Sequence, residues 1–296
     1  YPPFPLSPIL QSDVSPVALF DPKGSSEPLL KRIGIQYRLI DSLKKSAKER
    51  RLVVGFNALD GHDLALRPAD LDAGVRVLIL LQNQRAWNGF GFRSESTMSR
   101  LAFKRDKFAP AFKDVANDQL AYWRGTPTCY DAWDFQHMHR ERGPRWLKTH
   151  TVSGYALSIP EWSGWRAYLD MEFDLNYSPF FAYQTGEGGL YFSTFDFGCN
   201  LDDPAAMQVA KAVFDEFLNG EVKLTRPVVA SGPAARAYAE RIHAVDAKSP
   251  ADCSAAGSAV LLVGPDSPMK WSELKTLVES GANALVYANE TLAGEM

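Results

Sequence analysis

Cysteine is scarce in this chain of 296 residues: Cys129, Cys199 and Cys253 are all there is, an odd number with no Cys-x-x-Cys pair. That count argues against a disulfide framework and, more strongly, against a zinc site built from thiolates. It leaves the redox compartment open. Long apolar runs are also missing. The longest, Val75–Leu81 and Ala259–Gly264, are of strand length, far short of the roughly 18 residues a membrane-spanning helix needs. No charge of one sign dominates, since 32 Lys and Arg face 35 Asp and Glu for a net −3, with no block of five like charges. A nucleic-acid partner is therefore excluded, because such binding needs a basic face that displaces counterions. The opening Tyr-Pro-Pro-Phe-Pro-Leu-Ser-Pro has no charged region followed by an apolar one, so it is not a signal peptide. It reads as what remains after one is removed, or as an internal linker.

What is present is ordinary in bulk and unusual in one respect. Hydrophobic residues make up 46% and charged residues 23%, which rules out disorder, collagen-like repeats and coiled coils. The length suggests two domains at about 150 residues each. Aromatic residues reach 12%, and six of the seven tryptophans fall between Trp87 and Trp165.

Residues 1–16 hold five prolines, so residues 1–26 read as an extended entry, either a tether or a strand laid across a surface. A helix is predicted from Glu27 to Ile33, ended by Gly34, and a strand over Ile35–Ile40. Leu52–Phe56 and Val75–Leu81 are further strands. Their unbroken β-branched and aliphatic character belongs to strands covered on both faces, hence an α/β fold with a parallel sheet. Periodicity is then lost from Trp87 to about 165, which predicts a long aromatic-rich insertion packed by its own rings. Strands return at Ser178–Gln184 and Leu190–Phe197 around a Gly186–Gly189 turn. The clearest helix follows: Asp202 or Asp203 caps it, Pro204 opens it, and Met207, Ala210, Phe214, Phe217 and Leu218 share one face. Asn219–Pro227 is the boundary candidate, giving one α/β domain over 27–221 and part of another over 222–296. The second comprises strands at Val228–Ala230, Ala259–Gly264 and Ala284–Ala288 with helices at Pro233–Ile242 and from Trp271 to Gly281. It stops in mid-architecture and echoes the first, each having a strand that ends in Val-Gly (Val54-Gly55, Val263-Gly264).

The segment Gly186–Gly220, GEGGLYFSTFDFGCNLDDPAAMQVAKAVFDEFLNG, resembles a recurring element of large bacterial glycoside hydrolases of the beta-galactosidase superfamily. YLDMEFDLNYSP (Tyr168–Pro179) and YWRG (Tyr122–Gly125) are similar to two more pieces of that region. The final segment, LLVGPDSPMKWSELKTLVESGANALVYA, resembles the next repeat. The resemblance implies tandem domains of the class I glutamine-amidotransferase-like, flavodoxin-like type: a three-layer domain with an insertion, then a truncated repeat. It also implies an accessory part of a carbohydrate-active enzyme, partnered by the catalytic domain or subunit of a glycoside hydrolase, in a periplasmic or secreted setting. The residues themselves leave a cytoplasmic one open. Amidotransferase chemistry does not carry over. It needs a Cys on a strand-to-helix elbow, and the elbow positions here are Asn57-Ala58-Leu59 and Gln82-Asn83-Gln84.

Each candidate for chemistry has a plainer role beside it. Glycosidic cleavage uses two carboxylates, and Glu161, Asp170, Glu172, Asp174 and Asp196 lie near the aromatic region. Asp196 follows a strand, where open α/β sheets place ligands, but the same position suits a loop-capping carboxylate. A stand-alone glycosidase built from Glu161–Asp196 is the weakest of three readings. His137-Met138-His139 would turn two rings to one face of a strand, yet Arg140, Arg142, Arg145 and Lys148 oppose a cation, so no metal is expected. Ser153 lacks an elbow, Gly186–Gly189 is a turn, and Gly89-Phe90-Gly91 lacks the rest of a dinucleotide fingerprint. No cofactor is expected. The candidate substrate-binding set is Trp123, Arg124, Trp133, Trp146, Trp165, Arg166 and Asp196. Flat rings stack on sugars and guanidinium forks grip carboxylates or sulfates, so an oligosaccharide, in particular an anionic polysaccharide, is the ligand considered. The competing role for these rings is the core of the insertion, with arginine stems laid over them.

Overall fold

The computed structural model describes residues 15–95, 99–105, 110–124, 150–160, 164–172, 174–220, 228–241, 260–281 and 283–287. They fall into two compact units, 1–221 and 222–296. No helix among the described residues is long and apolar enough to cross a membrane.

In the first unit, strand β1 (Val17–Phe20) leads to helix α1 (Glu27–Ile33), β2 (Tyr37–Ile40), β3 (Arg51–Val54), helix α2 (Pro68–Asp72), β4 (Arg76–Ile79) and helix α3 (Gln84–Gly89). Five short strands follow: β5 (Ser94–Glu95), β6 (Ala102–Lys104), β7 (Ala156–Ser158), β8 (Trp165–Ala167) and β9 (Leu169–Met171). The chain then forms β10 (Tyr177–Ser178), β11 (Phe180–Thr185), β12 (Gly188–Ser193) and helix α4 (Pro204–Asn219). The main sheet runs β2-β1-β3-β4-β12-β11-β8. Its first five strands are parallel and the last two antiparallel. The parallel part, with its second strand outermost, has the flavodoxin-like order, so the α/β expectation holds.

Strand β1 departs from the sequence reading. That reading puts residues 17–20 within an extended tether or a strand laid across a surface, yet all four are buried and pair with β2 on one side and β3 on the other. The proline-rich approach ends at Pro16, and the four apolar residues after it are enough to fill a slot covered on both faces. Helix α1 occupies the predicted span, and Gly34 closes it at φ 78° with its N–H on the Leu30 and Lys31 carbonyls. Helix α4 is capped by Asp203, whose Oδ1 accepts from the Ala205 and Ala206 amides at 2.8 and 3.2 Å.

The hairpin β11–β12 gathers aromatic rings on both of its faces. Alternate residues of a strand face opposite sides of the sheet. On one side Phe180 and Tyr191 meet Tyr168, Phe112 and Phe217 of α4. On the other side Phe181 and Phe192 meet Phe92, Phe90 and Trp165. Rings at centroid distances of 4.9–6.5 Å thus thicken a wing of the sheet where short irregular elements replace long helices. Each buried ring contributes about 1.5–3 kcal/mol relative to exposure. The turn at Gly186-Glu187 is fixed by a close backbone approach, since a Cβ on Gly188 would lie 2.2 Å from the Val75 carbonyl and 2.4 Å from that of Leu71.

The second unit contains β13 (Val228–Ser231), helix α5 (Pro233–Arg241), β14 (Val260–Val263), helix α6 (Trp271–Glu279) and β15 (Asn283–Val286). Its three strands form a parallel sheet in the order β13-β14-β15. The predicted Val-Gly echo has a physical counterpart. A Cβ on Gly55, after β3, would lie 2.6 Å from Ser26 Oγ at the start of α1. One on Gly264, after β14, would lie 2.9 Å from the Ala235 amide in the first turn of α5. In each unit a glycine lets the first helix start close against the neighbouring strand.

Candidate functional site

Open α/β sheets bind ligands beyond the carboxyl ends of their parallel strands. Here that edge is formed by the residues after β1, β3, β4 and β12. After β1, Asp21 accepts from the Ser26 amide at 2.6 Å and the Glu27 amide at 3.3 Å, and Ser26 Oγ accepts from the Phe56 amide at 2.7 Å. These bonds tie the ends of β1 and β3 together. After β4, the buried Gln82 accepts from the Leu59 amide at 2.9 Å through Oε1, while its Nε2 donates to the Gly55 and Leu80 carbonyls, each at 2.7 Å. Asn57, at φ 50°, donates its own amide to the Leu81 carbonyl at 3.0 Å. The two elbow positions therefore serve as struts between loops.

Beyond β12 the edge is filled. Trp123 is fully buried, lies 5.4 Å from Phe195 and 5.6 Å from Phe197, and donates Nε1 to the Gln119 carbonyl at 2.8 Å. Asp196, between those phenylalanines, is 2% exposed. Its amide donates to the Val152 carbonyl at 3.0 Å and its own carbonyl accepts from Asn200 Nδ2 at 2.7 Å. Ser153 is buried, with Oγ 2.7 Å from Thr194 Oγ1 and within reach of the Thr194 and Tyr155 carbonyls.

The structure brings Trp123, Arg124 and Asp196 into one layer, where the Arg124 amide donates to Asp203 at 2.9 Å. Trp165 and Arg166 sit elsewhere, on the edge strand β8. Trp123 as a sugar platform is corrected by its burial, because both faces of its ring are taken by protein. Asp196 as a cleft carboxylate is corrected in the same way. Trp165 is half-buried and locked against Phe92, Phe181, Tyr183 and Phe192, and Arg166 lies 4.8 Å above the Tyr168 ring. Trp123 and Trp165 pack against the rings of the core, while Arg124 is exposed and is held here through its backbone amide. Trp133 and Trp146 lie outside the described residues, as do His137, His139 and Glu161. Of the other carboxylates, Asp170 pairs with Arg105 at 3.2 Å, Glu172 accepts from the Arg100 amide, and Asp174 from the Asn176 amide. Burial holds the Asp170 carboxyl above the usual carboxylate range, against the pull of Arg105. Among the described residues no group of three or more His, Cys, Asp or Glu is placed to hold a metal ion.

One part of the carboxyl edge is open. A groove of about 540 Å³ lies between the loop after β3 and helix α3, lined among others by Leu59, Asp60, His62, Asp63, Arg85 and Phe90. The sequence reading does not reach it, although His62 lies three residues past the elbow position Asn57-Ala58-Leu59. The two walls are more than twenty residues apart, and only the β3–β4 pairing brings them together.

No family model matches the chain, and no curated protein matches it. Solved structures to which it is similar include a protein from Thermoplasma acidophilum assigned as part of a GMP synthase, at 8% identity and TM-score 0.37 over 67% of this chain and 92% of that one. They also include the carbohydrate deacetylase Agd3, at 13% and 0.37 over 73% of this chain and 34% of that one. A third is a ThuA-like protein from Parabacteroides merdae, at 12% and 0.35 over 72% and 94%. Likenesses this distant carry no functional argument, and the fold is read from the sheet order itself.

Proposed function

We propose that this chain is a non-catalytic α/β region of a carbohydrate-active enzyme, working beside the catalytic domain or subunit of a glycoside hydrolase in a periplasmic or secreted setting. The catalytic carboxylates would lie outside these 296 residues. One observation carries the reading: the positions where a flavodoxin-like domain presents its reactive group are spent on structure. Gln82 gives its whole amide to three backbone partners, and Asp196 is 2% exposed, with its backbone tied to Val152 and Asn200. The resemblance of Gly186–Gly220 supports the carbohydrate context, and that segment forms a hairpin strand, a turn and a capped helix. The test is to assay the purified chain on a panel of nitrophenyl glycosides. No turnover is expected, and hydrolysis of any of them that Asp196→Asn abolishes would overturn the proposal.

A further inference from the structure

The groove between the loop after β3 and helix α3 belongs to none of the roles above, and its charged groups Asp60, Asp63 and Arg85 are solvent-exposed. Its volume, about 540 Å³, lies in the ordinary range of small-molecule sites, and it opens at the carboxyl edge of a parallel sheet. Its walls are braced from beneath. Gln82 holds the Leu59 amide on one side and the Gly55 carbonyl below it, the Leu59 carbonyl accepts from the His62 amide at 3.0 Å, and Asn83 Oδ1 caps α3 through the Ala86 amide at 3.0 Å. Phe90, half-buried, is fixed by Trp87, Phe92 and Phe192 at 6.4, 6.0 and 5.4 Å. The His62 ring rests edge-on against Phe20 at 5.1 Å.

The polar groups on these walls are uncommitted. Asp60, Asp63 and Arg85 form no side-chain hydrogen bond or ion pair with the described residues. The same holds for other exposed charges of this unit such as Lys23, Arg32 and Lys44, while Arg67 reaches Asp70, Lys31 reaches Glu27 and Arg105 reaches Asp170. Two carboxylates on one wall and a guanidinium on the other set conflicting demands on a charged ligand. An anion gains Arg85 but meets Asp60 and Asp63, and a cation meets the reverse. A neutral molecule carrying many hydroxyls satisfies both walls, donating to the carboxylates and accepting from Arg85 and His62. A ring fixed beside them supplies the flat apolar surface on which the C–H face of a pyranose rests.

We infer that this groove binds a neutral saccharide of one or two rings, with Asp60, Asp63 and Arg85 holding its hydroxyls and Phe90 its apolar face. The site is distinct from the Trp123, Arg124 and Asp196 layer and does not rest on the accessory-region reading. The test is calorimetric titration of the full chain with cellobiose, lactose, maltose and xylobiose, and with a glucuronate disaccharide and a sulfated one. A neutral disaccharide is expected to bind. Arg85→Ala and Asp63→Asn should each weaken it at least about tenfold, and Lys113→Ala, at an exposed residue outside the groove lining, should leave it unchanged. Saturating saccharide should also slow hydrogen exchange of the backbone amides in 59–64 and 85–90, which reads the site without any substitution. Binding of only the charged sugars, binding indifferent to both groove substitutions, or no binding with unchanged exchange would each overturn the inference. Glycoside turnover by the chain would overturn the accessory-region reading and leave this one standing.

Discussion

Glu216 sits 2% exposed on α4, accepting from the Tyr168 hydroxyl at 2.7 Å, and Gln184 Nε2 reaches the hydroxyls of both Tyr168 and Tyr191 at 3.2 Å. Burial raises the Glu216 carboxyl above its ordinary value, opposed by the Tyr168 hydrogen bond and by the charges of Arg166 and Arg76. A carboxyl with a raised folded pKa binds more protons folded than unfolded. Its contribution is therefore fully present below the unfolded value, near 4.5, and is lost as pH rises through the folded one. Replacing it by Gln keeps an acceptor for Tyr168 and removes the titration. Glu216→Gln is expected to gain stability relative to the parent between about pH 5 and pH 8, measured as urea midpoints at both values. A difference that stays constant with pH would show that Glu216 does not titrate in that window. Gly188 tests packing at the same scale. Its Cβ would collide with two backbone carbonyls, so Gly188→Ala should cost about 2–4 kcal/mol. Gly61→Ala, with nothing within 4 Å but φ at 76°, should cost only the left-handed strain of about 1–2 kcal/mol. Equal losses in the two denaturation curves would refute the collision argument.

At the scale of elements, α4 shows how a cap and a stripe combine. Asp203 satisfies two orphan amides of the helix and, through Oδ2, the Arg124 amide as well. Asp203→Ala should lower stability by about 1–2 kcal/mol, at the upper end for a lost cap, because the Arg124 amide loses its acceptor too. Asp203→Asn should recover only part of the loss in the same thermal melts, because its one carbonyl oxygen can cap the helix while its Nδ2, a donor, cannot accept from the Arg124 amide, and no recovery at all would point to charge rather than hydrogen bonding. This helix is legible in the sequence because its signals are local: Asp203, Pro204 and an apolar stripe follow one another without a break. So are α1 with Gly34 and the strands at 52–56 and 75–81. Strand β1 is hidden because its four residues follow a proline-rich approach, and only pairing with β2 and β3 makes it central. The aromatic cluster misleads for a related reason. Spacing along β11 and β12 says that rings alternate, but not that both faces of the sheet are buried there. The groove is illegible because neither the 59–64 loop nor α3 is a site alone, and their adjacency is a property of strand order.

Among the described residues, the two units differ in how much core they hold. The first packs a continuous cluster from Val17 to Leu218 through both faces of its sheet. In the second, Val229, Leu261, Val263, Met269 and Leu274 are buried on one side and Ala235, Ala239 and Leu262 on the other. All four residues of β15 are exposed, Leu285 at 53% and Val286 at 40%. Parallel strands are ordinarily covered on both faces, and the described residues of this unit bury few side chains against the conformational entropy of ordering them. Unfolding is therefore expected in two steps. In rising urea, followed by hydrogen exchange and mass spectrometry on the full chain, amides of β13, α5, β14 and α6 should lose protection first. Those of β1, β3, β4 and β12 should keep theirs to a higher midpoint. Leu261→Ala, which removes a fully buried side chain from the smaller core, should cost about 2–5 kcal/mol and move only the first step. If that substitution instead shifted a single transition shared by all these strands, the two units would be folding as one cooperative body, and the difference in their cores would not set the order of their unfolding.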